Sequence, residues 1–303
     1  MDGAEGVYGL PLAGLVATGP DAIQLSPLIV GSTAIETLED ASLGRIVIAA
    51  PPGTLERRYV LAHGLRALRP GGEIVALAPK AKGGARLGRE LAAFGCEVRE
   101  DARRHQRLCR TVRPAAAVGV EAAIGAGGPR IVPALGLWSQ PGVFSWDRLD
   151  PGTALLLAQP WEPAGRGADL GCGLGILARA ALARPAVSAL ALVDIDRRAL
   201  DAARRNIDDP RAHFLHCDLR RTPKDLGELD FVIMNPPFHD GGAQDRSLGR
   251  ALVATAAALL GPGGVCRLVA NVALPYETAL AASFASVTLL AREGGYKVLE
   301  ARR

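Results

Sequence analysis

The sequence lacks the features that mark secreted, membrane-spanning or zinc-binding proteins. Its five cysteines, at positions 96, 109, 172, 217 and 266, are scattered and form no C-x-x-C pair. This spacing predicts reduced thiols, with neither a disulfide framework nor a zinc site. No apolar run reaches the roughly 18 residues of a membrane span, and the acidic start MDGAEGVYGL lacks the basic region of a signal peptide. We therefore expect a cytoplasmic protein with no membrane contact and no metal.

The length of the chain indicates more than one hydrophobic core. A chain of 303 residues is long for one compact core and comfortable for two domains. The net charge of +4 indicates little about partners. The local charge is more informative, because residues 99–113 carry six arginines against two acids. Such a stretch could follow a phosphate backbone, or it could be a solvated arginine-rich strand and turn.

An internal repeat organises the chain. Three segments of the first half match three of the second in the same order: RIVIAAPP (45–52) with DFVIMNPP (230–237), RALRPGGEIVALAPK (66–80) with ALLGPGGVCRLVANV (258–272), and FGCEVREDARRHQRLCR (94–110) with FASVTLLAREGGYKVLE (284–300). The P-G-G of the second pair is expected to end a helix and begin a strand. The third pair predicts an antiparallel hairpin. We therefore predict two copies of one α/β domain, residues 1–135 and 140–303, joined by a linker within the Gly- and Pro-rich residues 125–142.

The second half alternates strand patterns with helical patterns. Strands are predicted for ADLGCG, ALALVDID, AHFLHCDL and LDFVIMN, and helices for ILARAALAR and RRALDAARRNI. This alternation is typical of βαβ units in a doubly wound parallel sheet. The first half has no glycine loop, and Ala50 stands where the second half has Asn235. The repeat thus predicts one working site and one copy that serves structure or binding.

A glycine-rich loop follows the first strand of the second half. The segment ADLGCGLGILA (168–178) contains Asp169, Gly171, Gly173 and Gly175. Glycines let a backbone approach a ligand closely and turn into a helix. The spacing differs from a G-x-G-x-x-G dinucleotide loop, and the G-K-[ST] of a phosphate loop is missing. An acid just before the loop suits a cationic or hydroxyl-bearing ligand better than a pyrophosphate.

Two further acids follow the next strands. Asp194 ends the second strand, where an acid binds ribose hydroxyls. Asp218 ends the third, where it could accept a hydrogen bond from an adenine amine. Each acid alone could be a helix N-cap. Three acids on consecutive strand ends beside a glycine loop favour an adenosine-containing ligand.

The fourth strand of the second half stops at two prolines. The sequence there is Asn235, Pro236, Pro237, Phe238 and His239. Prolines cannot continue a central strand, and they hold the backbone rigid. The Asn235 side-chain oxygen and the Pro236 carbonyl are fixed acceptors that suit a substrate NH₂ group and can stabilise the charge developing on its nitrogen. Phe238 could stack on a flipped-out base. A proline-stabilised turn is the alternative, and it accounts for Pro51-Pro52 in the first half.

The second half resembles class I S-adenosylmethionine (SAM)-dependent methyltransferases with an N-P-P-[FYW] motif. More narrowly, it resembles the ribosomal RNA guanine-N2 methyltransferases of the small-subunit type. The segments that carry the resemblance are GVFSWDRLDPGTALLL (142–157), DLGCGLGILA (169–178), LVDID (192–196), MNPPFHDGG (234–242), VANVALPY (269–276) and GGYKVLEARR (294–303). The chain departs from the family at Trp146-Asp147-Arg148, where a basic residue and a glycine usually flank the aspartate.

The resemblance implies an α/β fold of two tandem Rossmann-like methyltransferase domains. Each would have a seven-stranded doubly wound sheet, and the N-terminal copy would be degenerate. SAM would be the cofactor, with Gly171, Gly173 and Gly175 against its methionine part, Asp194 on the ribose, Asp218 on the adenine amine, and Asp169, Asn235 and Phe144 beside it. Asn235 to Phe238, with His239 behind, would hold the guanine amine and base. Ribosomal RNA or a ribosomal subunit is the implied partner of a protein that could be monomeric, and the first half would aid RNA binding or stability.

Other functions share parts of this pattern. A large-subunit guanine-N2 methyltransferase has the same duplication. Glutamine-amide and adenine-N6 methyltransferases share N-P-P-[FYW] but usually carry Tyr or Trp at the aromatic position. An RNA-binding assembly factor without catalysis is the alternative of a different class. It would not explain why Asn235, Gly171 and Asp194 are present together.

Overall fold

The computed structural model describes residues 3–223, 226–236, 239–240, 243–244 and 246–303. The chain forms two compact units, Met1–Pro129 with Gln140–Gly142, and Arg130–Ser139 with Val143–Arg303. No described helix is long and apolar enough to cross a membrane.

The first unit contains a mixed sheet in the order β2-β1-β3-β4-β6-β5. Strands β1 to β4 pair in parallel, while β6 is antiparallel to both β4 and β5. The predicted hairpin over 94–110 is thus confirmed as β5 and β6. The elements are β1 (Ala4–Tyr8), β2 (Ile23–Gln24), β3 (Leu43–Ala49), α1 (Thr54–Ala67), β4 (Leu68–Pro79), α2 (Gly84–Ala92), β5 (Arg99–Arg103), β6 (Gln106–Val112) and α3 (Val120–Gly127).

The sheet of the first unit has six strands among its described residues, so the prediction of seven in each copy is wrong here. The chain from Gly9 to Ser42 is too short for the two βα units that follow the first strand of a full copy. It holds only the two-residue edge strand β2 and one 3₁₀ turn, Ile35–Thr37. The corresponding region of the first unit, residues 9–42, therefore has no α-helix.

A buried arginine occupies the strand end of the first unit that corresponds to Asn235-Pro236-Pro237. Arg57 Nη1 donates to the carbonyls of Pro51 and Pro52 at 3.1 and 2.7 Å. Its Nε and Nη2 donate to the two oxygens of Glu90 at 2.5 and 2.6 Å. Both side chains are buried. The chain itself thus supplies donors to these proline carbonyls.

The second unit begins with a hairpin and continues into an α/β domain. Its elements are β7 (Arg130–Val132), β8 (Leu137–Ser139), α4 (Pro151–Leu157), β9 (Gly165–Leu170), α5 (Ile176–Leu182), β10 (Val187–Asp194), α6 (Arg197–Asn206), β11 (Ala212–His216), β12 (Leu229–Met234), β13 (His239–Asp240), β14 (Ala243–Gln244), α7 (Arg246–Leu259), β15 (Leu260–Asn271), α8 (Tyr276–Ala281), β16 (Ser286–Glu293) and β17 (Tyr296–Arg302). The helices and strands predicted between residues 168 and 235 are confirmed.

The predicted linker within 125–142 contains regular secondary structure. It contains the end of α3 and the whole hairpin of β7 and β8. Asn206 at the end of α6 fastens the hairpin, because its Oδ1 accepts from the Trp138 N–H at 2.7 Å and its Nδ2 donates to the Trp138 carbonyl at 3.0 Å. The turn between β7 and β8 contains Gly136, whose φ of +63° favours glycine.

The main sheet of the second unit has seven strands in the order β11-β10-β9-β12-β15-β17-β16. The strands from β11 to β15 pair in parallel, and β17 is antiparallel to both neighbours. In register, Asp169 of β9 lies opposite Leu192 of β10 on one side and Ile233 of β12 on the other. The carboxyl ends of these three strands therefore meet at one edge, where open α/β sheets bind ligands.

The P-G-G segments lie inside strands and do not start them. Helices α1 and α7 end at Ala67 and Leu259, and β4 and β15 begin at the next residue. The register of each strand with its neighbour then shifts before pairing resumes at Glu73 and Val265. The two copies share this irregularity at corresponding positions, as expected of a duplicated domain.

Candidate functional site

A cleft of about 420 Å³, counting space open to solvent, lies at the carboxyl edge of the second sheet. It brings together three stretches that are distant in sequence. One follows β9, one follows β12, and one lies around the start of α4. The lining residues are Phe144, Ser145, Asp150, Thr153, Gly171, Cys172, Gly173, Leu174, Ile176, Leu177 and Asn235. Four residues predicted for the site, Phe144, Gly171, Gly173 and Asn235, thus line one cleft.

The three glycines of the loop do not have the same surroundings. All have positive φ, +77° at Gly171, +52° at Gly173 and +78° at Gly175, a conformation that other residues adopt only with strain. A Cβ at Gly171 or Gly173 would meet open space. A Cβ at Gly175 would lie 2.7 Å from Ile207 Cδ1 and 3.3 Å from Ala203 Cβ. Gly175 therefore lets the backbone before α5 approach α6 closely. Gly171 and Gly173 leave open space where a side chain would otherwise extend.

Asp194 at the end of β10 holds the glycine loop. Its Oδ2 accepts from the Gly173 N–H and its Oδ1 from the Asp196 N–H, both at 2.8 Å. Burial raises the pKa of Asp194 to about 6, against the effect of these hydrogen bonds. The nearby Asp196 has a different role, because it caps α6 and pairs with Arg198 at 2.9 Å. The two acids, only two residues apart, therefore have different roles.

Asp169 is fully buried beneath the loop. Its Oδ2 accepts from the Ala178 N–H in the first turn of α5 at 3.1 Å, while its Oδ1 has no partner among the described residues. Burial, together with the charge of Asp194, raises the pKa of Asp169 to about 8. The carboxyl therefore supports the start of α5 from below and does not line the cleft.

Asp218 lies two residues beyond β11, next to an arginine. Its carboxylate accepts from the Arg220 backbone N–H and Nε, both at 3.0 Å. Burial raises the pKa of Asp218, but the Arg220 hydrogen bonds outweigh that effect and hold it below the ordinary value. The acid is thus a charged, partly exposed acceptor at the third strand end. Its predicted contact with an adenine amine stays a prediction.

Only the nitrogen of the Asn235 side-chain amide forms hydrogen bonds with described residues. Its Nδ2 donates to Asp150 Oδ2 at 2.8 Å and to Thr153 Oγ1 at 2.9 Å. Its Oδ1 is buried and accepts no hydrogen bond from any described residue. An unpaired buried acceptor is costly in a protein. Its presence beside a cleft indicates a place for a donor from a ligand.

Asp150 and Thr153 were missed by the sequence reasoning as site residues. Asp150 is the N-cap of α4 and accepts from the Thr153 N–H at 2.8 Å, with Pro151 in the first turn. The sequence signal was present in LDPGT (149–153), since an acid before proline is typical of a helix start. It did not reveal that the same acid would meet Asn235.

The remaining predicted residues are only partly described. Phe144 is 57% exposed beside the cleft, and Pro236 is buried. Pro237 and Phe238 lie outside the described residues, as does the side chain of His239, whose backbone begins β13. Among the described residues, no group of three His, Cys, Asp or Glu side chains could hold a metal ion.

Comparison with known proteins places the chain in a family. Residues 134–300 match the family described as Methyltransferase small domain. The ribosomal RNA small subunit methyltransferase C of Pseudomonas aeruginosa (strain LESB58) is 32% identical over 97% of this chain and 93% of its own length. The protein of the same description from Yersinia pestis (strain Pestoides F) is 37% identical over 53% of this chain and 47% of its own.

A solved structure has the same architecture. The T. thermophilus 16S rRNA N2 G1207 methyltransferase, in complex with AdoMet and guanosine, aligns with a TM-score of 0.77 and 25% identity over 99% of this chain and 88% of its own. This match confirms the predicted fold of two Rossmann-like domains. The chain belongs to the family of ribosomal RNA small subunit methyltransferase C proteins, and its second unit carries their Methyltransferase small domain.

Proposed function

We propose that this protein is a SAM-dependent methyltransferase that modifies the exocyclic N2 amine of a guanine in 16S ribosomal RNA. The observation that carries the proposal is the arrangement of Asn235. Its amide oxygen is buried, unpaired among the described residues and beside the cleft that the glycine loop lines. The full-length match to small-subunit methyltransferases supports the substrate class.

The residues of the cleft fit SAM. The open space at Gly171 and Gly173 admits a ligand against the loop backbone. Asp194 at the second strand end is proposed to accept from ribose hydroxyls, and Asp218 beyond the third strand to accept from an adenine amine, although neither is among the lining residues of the cleft. Phe144, which is 57% exposed, offers an apolar face over the cleft. SAM, when bound, supplies an electrophilic methyl group on a positively charged sulfur.

Asn235 orients the accepting amine. The lone pair of a guanine amine is delocalised into the ring, so the amine is a weak nucleophile. A hydrogen bond from the amine to Asn235 Oδ1 favours a pyramidal nitrogen with its lone pair free for attack. The same bond stabilises the positive charge that develops on the nitrogen. The Pro236 carbonyl is the second acceptor in this proposal.

The first unit is proposed to contribute RNA contact and stability. Its β5–β6 hairpin carries the arginines of residues 99–113, and several of them are paired with acids. Arg103 pairs with Asp101 at 2.6 Å, and Arg107 with Glu100 at 3.2 Å. The first pair is exposed and the second partly exposed, so each contributes little free energy and could be replaced by a pair with a phosphate. They are therefore compatible with a phosphate backbone as partner.

Transfer from labelled SAM to defined substrates tests the proposal. Assembled small subunits, naked 16S rRNA, assembled large subunits and a protein mixture are each incubated with the enzyme, and modified nucleosides are separated by mass. We expect N2-methylguanosine in 16S rRNA. Label in large-subunit RNA would favour the large-subunit alternative, and label in protein or on adenine would favour the other N-P-P-[FYW] enzymes. Label in none would favour the non-catalytic factor.

A pair of asparagine variants tests the site in the same assay. Asn235→Ala should bind SAM but lose most transfer, by about 100-fold as for one group that stabilises transition-state charge. Asn271→Ala is the matched control, because Asn271 ends β15 at the same edge of the sheet and does not line the cleft. A full rate for Asn235→Ala would contradict the role of the amide.

A further inference from the structure

The Asn235 amide can present either its oxygen or its nitrogen to the cleft, and only the oxygen accepts from an amine. The two ends of an asparagine amide have nearly the same shape, so their hydrogen-bond partners decide the orientation. Nδ2 has two protons, and Asp150 Oδ2 and Thr153 Oγ1 accept them at 2.8 and 2.9 Å. Both protons are therefore used, and Oδ1 is left for a donor from the substrate.

Asp150 constrains this orientation more strongly than Thr153 does. A carboxylate can only accept hydrogen bonds, whereas a hydroxyl can rotate and donate. A reversed amide would place Asn235 Oδ1 against Asp150 Oδ2, two acceptors with no proton between them. Asp150 is only 8% exposed and Thr153 only 7%, so water can do little to relieve that contact.

We propose that Asp150 is a positioning residue for methyl transfer, whose carboxylate holds the Asn235 amide with Oδ1 toward the substrate amine. This inference rests on the proposed function. The negative charge beside Nδ2 also polarises the amide and makes Oδ1 a stronger acceptor. Thr153 supplies the second acceptor and completes the alignment.

Asp150 has a structural role that must be separated from this one. It caps α4 through the Thr153 N–H, which donates to the same Oδ2 at 2.8 Å. Asparagine caps a helix about as well as aspartate. Asp150→Asn therefore keeps the cap, while it replaces a group that can only accept with one that can also donate. Because Asn235 Nδ2 donates to the same Oδ2, the variant keeps an acceptor there but removes the negative charge, so it weakens the hold on the Asn235 amide without removing the start of α4.

Kinetics of the variants test the positioning role. Asp150→Asn should lower kcat for guanine methylation about 10-fold or more, with the melting temperature and the dissociation constant for SAM close to wild type. Thr153→Val should cause a smaller loss, and Thr153→Ser should restore the rate because it keeps the hydroxyl. Asp147→Asn makes the same chemical change at an exposed aspartate in the same segment, and it should leave the rate unchanged. An Asp150→Asn enzyme at full rate overturns the inference.

Two further measurements distinguish positioning from structure. In an Asn235→Ala background, Asp150→Asn should cause no further loss of kcat, because its effect acts through the missing amide. Additive losses would overturn the inference. The side-chain ¹⁵N–¹H signals of Asn235 should shift in Asp150→Asn and not in Asp147→Asn, and unchanged signals would overturn it without any assay of activity. A wild-type protein that methylates no guanine N2 overturns the proposed function instead, so the two failures are distinguishable.

Discussion

The carboxylate of Asp194 accepts a hydrogen bond from the backbone N–H of Gly173 at 2.8 Å. The end of the second strand thereby holds the loop that follows the first strand. A group proposed to bind ribose thus also shapes the glycine wall of the cleft. Its protonation state matters for both tasks, since a protonated oxygen loses acceptor capacity.

SAM binding should weaken as the pH falls through about 6, because burial raises the pKa of Asp194 to about 6. Below that pH the neutral carboxyl accepts less well from ribose hydroxyls and from the loop. Titration calorimetry between pH 5 and pH 8 measures the dissociation constant. The Asp194→Asn variant should bind SAM more weakly than wild type at pH 8, and its dissociation constant should not rise further at low pH. An equal pH dependence in wild type and variant would contradict the assignment.

The free energy of unfolding of Asp169→Asn should exceed that of wild type by an amount that grows as the pH rises from about 4 to about 8. Burial raises the folded-state pKa of Asp169 from 3.8 to about 8, so the folded protein keeps a proton that the unfolded chain releases. Wild type therefore loses stability across this window, by up to about 1.4 kcal/mol per pH unit. Asparagine is neutral and can still accept from the Ala178 N–H.

The measurement for Asp169→Asn is the difference in free energy of unfolding between variant and wild type, from urea denaturation at several pH values. Other titrating groups contribute equally to both proteins and cancel in the difference. A difference that stays constant between pH 5 and pH 8 would show that Asp169 is ionised in the folded protein throughout.

Alanine at Gly175 and at Gly171 should have different effects. Both positions have positive φ, so each substitution costs roughly 1–2 kcal/mol of strain. At Gly175 the new methyl also meets Ile207, which adds about 1–3 kcal/mol of overpacking. At Gly171 the methyl enters the cleft and should weaken SAM binding instead. Thermal denaturation and calorimetry on both variants check this, and equal melting temperatures would contradict the packing role of Gly175.

Removing Arg57 should destabilise the first unit by about 3–5 kcal/mol, because Arg57→Met leaves the buried Glu90 carboxylate without its partner. The double variant Arg57→Met, Glu90→Leu should recover part of that loss, since the isolated charge is gone. Arg103→Ala is the control. It removes an exposed ion pair with Asp101 and should change stability very little. Denaturation of the three variants measures the effects, and no recovery in the double variant would argue against the charge as the cause.

Much of the secondary structure of the second unit could be predicted from its sequence. Secondary structure depends largely on local patterns: strands on alternating apolar residues, helices on their own spacing, and ends on glycine or proline. The helices and strands of residues 168–235 could therefore be predicted from those residues alone. The acids and Asn235 follow from the same rule, because the residue after a parallel strand lies at the carboxyl edge of the sheet. The repeat likewise placed Pro51 and Pro52 just beyond the end of a strand, β3. It did not reveal that the described residues of the first unit form six strands and not seven, because no matching segment exists there.

The sequence by itself determined the two α/β copies, the glycine loop and the strand end at Asn235, because each depends on neighbouring residues. Only the tertiary structure decided the contacts between distant ones. It placed Asp150 against Asn235, 85 residues away, and Arg57 against the prolines of the first unit. It also set Gly175 against α6 and Gly171 against the cleft. These contacts arise when separate elements pack together, and no local pattern records which side chains will then meet.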